Sequence, residues 1–122
     1  MNSKTKNIIQ WVLTGLVAFV FIGSGTVKLM GGEAAAEMAK NLGGMSNVTA
    51  LGLLEITMVA IFLFPRTGVV GALLMSAYMG GAMAVHLVGG QPMIALIIIQ
   101  ILIWVASVVR FPELGQRLFA RA

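Results

Sequence analysis

Four apolar stretches with hardly a charge inside them limit what this chain can fold into. They run from about Ile8 to Val27, Val48 to Phe64, Gly68 to Val88 and Met93 to Val109. Each comes close to the roughly 20 residues that a helix needs to cross about 30 Å of hydrocarbon. Lipid offers the backbone no hydrogen-bond partner, so every amide must be paired internally and four helices is the economical reading. The second and fourth stretches are short, which favours little tilt. The composition agrees: 59% of the 122 residues are hydrophobic and 10% charged, against about 45–50% and about 25% in soluble domains. We therefore expect one all-α transmembrane domain over residues 1–122.

Several chemistries fall away at once. The chain has no cysteine, which removes disulfides, thiol redox centres and CxxC metal sites. One histidine and four glutamates, with no aspartate, cannot build an all-protein zinc or calcium cage. No metal is expected. The net charge of +4 does not point to nucleic acid, because the basic residues stand at segment ends, where they orient helices.

Counting those charges gives an orientation. With the N-terminus inside, Lys4, Lys6, Arg66, Arg110, Arg117 and Arg121 fall on the inner face, and Lys28 and Lys40 on the outer. Six against two predicts both termini in the cytoplasm and a place in the cytoplasmic (inner) membrane. Trp11 falls near the inner interface, where an amphipathic ring is favoured. Lys4 and Lys6 before an apolar run ending in Gly23-Ser24-Gly25 also draw the outline of a secretory signal, and we expect the segment to be retained as a helix. The long connection from Met30 to Asn47 contains Glu33-Ala-Ala-Ala-Glu37-Met-Ala-Lys40, rich in helix formers and with an i,i+3 pair. It predicts a short surface helix between the first two spans, lying over the bundle; a solvated linker is the alternative.

The chain also repeats itself. Val27-Lys28-Leu29-Met30-Gly31-Gly32 and Val85-His86-Leu87-Val88-Gly89-Gly90 share four of six positions. Phe64-Pro65-Arg66-Thr67-Gly68 and Phe111-Pro112-Glu113-Leu114-Gly115 close the second and fourth segments alike. The expected architecture is a four-helix transmembrane bundle of two pseudo-repeated hairpins, related by a half-turn about the membrane normal.

Ionisable groups inside a span are costly and ask for partners. Lys28 closes segment one and His86 nearly closes segment three. Glu55 and Gln100 each lie seven residues into their segments, about 10 Å below the boundary. Ser24 stands one turn from Lys28, and Tyr78 two turns from His86. All six fall in one half of the bilayer, while the other half is nearly all aliphatic, Met and Phe. The simplest geometry is an outward-facing polar chamber floored by Glu55 and Gln100, with Lys28, His86, Tyr78 and Ser24 as further ligand-binding candidates. Lys28 and His86 could instead snorkel to the headgroups, and interhelical polar contacts can serve as glue alone. Glu55 is the one acid inside a span and needs a cation, donors or a proton of its own.

Gly68, Ala72, Ser76, Gly80 and Ala84 recur every four residues, a small-residue seam that lets backbones approach. If it faces outward it would make a homodimer; if inward it packs within the chain.

The stretches Phe21-Ile-Gly-Ser-Gly-Thr-Val-Lys28-Leu, Leu51-Gly-Leu-Leu-Glu55, Phe64-Pro65-Arg66-Thr67 and Gly80-Gly-Ala-Met-Ala-Val-His86-Leu resemble the DoxX-like family of small four-helix integral membrane proteins. The resemblance covers nearly the whole chain. It implies a membrane subunit beside sulfur- or thiol-handling, quinone-linked oxidoreductases, or an assembly partner of other membrane proteins. With no cysteine, haem-ligating pair or flavin motif, electrons would have to pass through a bound quinone or a partner. Three functions stay open: a module holding a quinone or lipid-like amphiphile, with no covalent cofactor and no independent catalysis; a scaffold; and a small proton-coupled transporter. The transporter ranks last, since the small multidrug type carries its glutamate in the first helix.

Overall fold

A computed structural model describes residues 2–119, and Arg121 lies outside them. Among the described residues six helices follow in order: α1 (Ser3–Met30), α2 (Gly32–Leu42), α3 (Met45–Leu63), α4 (Gly68–Val88), α5 (Ile94–Arg110) and α6 (Pro112–Leu118). No strand occurs among the described residues. Helix α1 starts five residues before its apolar run because Asn2 caps it: its Oδ1 accepts from the Thr5 amide at 2.7 Å. Gly31 and Gly32, both at positive φ, break α1 from α2, and Gly43 and Gly44 do the same between α2 and α3. The predicted surface helix is therefore present as α2.

Proline ends α3 and α5. Phe64 is extended because Pro65 follows it, which stops α3. Pro112 starts α6, which turns away from α5 by 111°. This last helix was not expected from the sequence. Helices α1, α3 and α4 are each long and apolar enough to span a membrane, and α5 reaches that length only together with α6. Among the described residues there are thus three such helices, or four when the bent pair is taken as one.

Helix α1 packs against α3 and α5, and α4 against the same two, so the four form a ring; α2 rests on α1 and α3. Inside the ring Val17, Phe21, Met58, Phe62, Met75 and Ile103 are buried. Outside it Phe19, Leu53, Leu73, Ile98, Ile101 and Trp104 are exposed, an apolar surface suited to acyl chains rather than water.

The small-residue seam divides along α4. Gly68 and Ala72 are buried and Ser76 half-buried, whereas Gly80 and Ala84 are exposed. A Cβ at Gly68 would collide with the Phe111 ring, and one at Gly80 would meet nothing within 4 Å. The first half of the seam is internal packing, so a second copy could touch only its Gly80–Ala84 end.

Candidate functional site

The site begins where α1 and α3 cross. Gly25 and Gly52 lie face to face there, and the missing side chains bring the two backbones together. Lys28 sits one turn further along α1, and Glu55 one turn further along α3. Side chains lean toward the N-terminus of their own helix, so in successive spans running in opposite directions these two lean toward each other. Lys28 Nζ lies 2.7 Å from Glu55 Oε2, with the two side chains 11% and 3% exposed. It also donates to Ser24 Oγ at 2.7 Å, one turn back on α1. Lys28 does not snorkel to the headgroups. It turns inward.

Tyr78 on α4 completes the cluster, its hydroxyl donating to Glu55 Oε2 at 2.7 Å. Its ring leans on Phe21, with centroids 6.1 Å apart. One oxygen of Glu55 therefore meets both the Lys28 ammonium and the Tyr78 hydroxyl, from two different helices, while no hydrogen bond among the described residues reaches Oε1. Two turns along α4, His86 has Nδ1 2.9 Å from the Ala82 carbonyl. A carbonyl only accepts, so Nδ1 carries the hydrogen, and in neutral imidazole Nε2 is left as an acceptor.

These groups border a partly open cavity of about 520 Å³, lined from all five long elements: Ser24 and Lys28 from α1, Met38 and Leu42 from α2, Leu51 and Glu55 from α3, Tyr78, Gly81 and His86 from α4, Leu96 and Ile99 from α5. That volume is in the range of small-molecule sites, as is a mostly apolar lining with a few convergent polar groups. Helix α2 covers one side of it through Met38 and Leu42, held down by Ala35, which is fully buried. A smaller apolar hollow of about 50 Å³ lies between α4, α5 and α6.

Five of the six candidate residues line the cavity. Gln100 does not: its Nε2 donates to the Ser76 carbonyl at 3.0 Å, and its Oε1 is buried without a partner. Ile99, one residue earlier, takes the cavity-facing position. No group of three potential metal ligands occurs among the described residues.

A second polar site sits at the other end of the ring. Arg110 is 8% exposed and donates to the carbonyls of Phe62 at 2.5 Å and Leu63 at 2.8 Å. Thr67 Oγ1 donates to the Ile61 carbonyl at 2.8 Å, and the Phe64 amide to that of Ala60. The last four carbonyls of α3, which have no helical partner, are thereby all satisfied. The guanidinium also packs over the Phe111, Phe62 and Trp11 rings, 4.8, 5.0 and 5.9 Å from their centroids. The sequence count treats Arg110 as a free interfacial charge; it is a helix cap.

The family model described as DoxX-like family matches residues 12–109, which include every residue of the cavity wall. No curated protein matches the chain, and no solved structure does.

Proposed function

The chain belongs to the DoxX-like family and is an integral membrane protein, and from that premise we propose that it holds a small amphiphile, quinone or lipid-like, against the Lys28–Glu55 wall. The single observation that carries this reading is the cavity itself: about 520 Å³, apolar except for Ser24, Lys28, Glu55, Tyr78 and His86. Stability alone gives little reason for that wall. A buried ion pair is on average no better for folding than well-packed apolar residues of the same volume. The chain has no cysteine to carry a thiol relay, and in this reading it stands beside a membrane oxidoreductase, receiving or handing over the amphiphile. As a scaffold alone, the chain would need the pair only as glue and would leave the cavity empty.

In this reading the ring is a four-helix transmembrane bundle of two repeated hairpins in the cytoplasmic membrane. A half-turn that carries α1 onto α4 and α3 onto α5 leaves the ring order unchanged, which supports the repeat. Both termini then lie inside. With Lys28 buried in its ion pair, the outer side keeps Lys40, itself 3.0 Å from Glu37, against Lys4, Lys6, Arg66 and Arg117 on the inner side. A homodimer would use the exposed Gly80–Ala84 end of the seam.

Organic extraction of the purified protein, followed by mass spectrometry, tests the function. We expect about one amphiphile per chain; a protein that purifies empty from several detergents contradicts the reading.

A further inference from the structure

The wall of the cavity is polar, and the ion pair within it balances its own charge. Lys28 and Glu55 neutralise each other as an ion pair at 2.7 Å. His86 directs Nδ1–H to its own helix. What remains on the lining residues is a set of hydrogen-bonding atoms: Glu55 Oε1 and His86 Nε2 as acceptors, the third ammonium hydrogen of Lys28 and the hydroxyl hydrogen of Ser24 as donors.

This set ranks headgroups. A phosphate or carboxylate would compete with Glu55 for Lys28 and strand a carboxylate in an apolar wall. An ammonium would compete with Lys28 for Glu55 and strand the lysine. Either way one buried charge loses its partner, the costliest outcome available. A ligand with carbonyls alone answers the donors and leaves both acceptors unmet. A hydroxyl answers both kinds, donating to Glu55 Oε1 or His86 Nε2 and accepting from Lys28 or Ser24. The rest of the lining, such as Leu51, Val85, Leu96 and Ile99, suits an acyl or isoprenoid tail.

Resting on the amphiphile-binding reading, we infer that the cavity selects an uncharged amphiphile whose headgroup carries a hydroxyl. The same geometry speaks against a carrier of lipophilic cations, because the membrane glutamate is already paired.

The test uses the delipidated full-length protein in detergent and four probes with one oleoyl-length tail: monooleoylglycerol, methyl oleate, oleoyl lysophosphatidic acid and oleylamine. Native mass spectrometry reads the bound fraction of each. Monooleoylglycerol is expected to bind at least ten-fold more tightly than the other three, with one site per chain. Equal or tighter single-site binding of any other probe overturns the headgroup assignment and leaves the cavity reading standing. Binding of none of the four, at concentrations that saturate the micelle, overturns both. Charge variants give a second readout: Lys28→Met should move the preference toward oleylamine, and Glu55→Gln toward lysophosphatidic acid. If either variant folds and its ranking is unchanged, the assignment is wrong. If neither folds, the wild-type ranking still decides.

Discussion

Gly25 and Gly52 face each other so closely that a Cβ added to Gly52 would stand 3.0 Å from the Gly25 carbonyl oxygen and 3.0 Å from Lys28 Cβ. The geometry of the ion pair depends on that approach. A methyl group at Gly52 has to push α1 away, which lengthens the reach from Lys28 to Glu55. Gly52→Ala is expected to cost about 1–3 kcal/mol, as overpacking does in cores. Gly80→Ala, with nothing near its Cβ, should leave the thermal unfolding midpoint in detergent unchanged. Equal midpoints for the two variants contradict the crossing.

The Lys28–Glu55 pair should be strongly coupled. Lys28→Met or Glu55→Leu alone leaves a buried partner uncompensated, a loss of about 3–5 kcal/mol. The double variant removes both charges and should unfold within about 1 kcal/mol of wild type, or above it. A double-mutant cycle measures this; additive losses would mean that the two side chains do not interact.

Arg110 should matter to α3 rather than to the cavity. Arg110→Met strands the Phe62 and Leu63 carbonyls, at about 1–3 kcal/mol for each. Arg110→Lys should recover only part of the loss, because an ammonium lacks the planar fork that reaches both oxygens. Amphiphile content of the protein that still folds should equal wild type. Loss of the amphiphile without loss of stability would place Arg110 in the binding machinery instead.

Helix α2 should report on occupancy. The chain has no native cysteine, so single cysteines at Ala34, exposed, and Met38, half-buried on the cavity, can be compared directly. A water-soluble maleimide should label Ala34→Cys quickly and Met38→Cys slowly. Added monooleoylglycerol should slow Met38→Cys further and leave Ala34→Cys alone. Identical labelling at both positions, with and without lipid, would mean that α2 does not cover the cavity.

Much of this was legible from the residues, and for physical reasons. Hydropathy located the four long segments because lipid forbids unpaired backbone, and Glu55 demanded a partner because an isolated carboxylate in hydrocarbon is so costly. Lys28, Ser24 and Tyr78 were reachable from helical spacing. Gln100 misled because depth along a helix was readable while direction around it was not. A single residue turns about 100°, enough to send Ile99 to the cavity and Gln100 to the Ser76 carbonyl. Arg110 was opaque for another reason: its role depends on where α3 ends in space, 47 residues away in sequence from Leu63. The Gly25–Gly52 contact likewise joins two glycines that carry no signal until the helices are placed together, and Pro112 marked the end of α5 but not the direction α6 takes.

The most direct test of the central claim is to fill the cavity without touching its polar wall. Gly81 lines the cavity, and a Cβ there meets nothing within 4 Å, while Gly80 beside it points to the outside with the same freedom. Amphiphile per chain should be measured by mass spectrometry in extracts of wild type, Gly81→Phe and Gly80→Phe purified in parallel. The account predicts about one per chain in wild type and Gly80→Phe, and an empty but fully folded Gly81→Phe. Equal content in Gly81→Phe and wild type would contradict it.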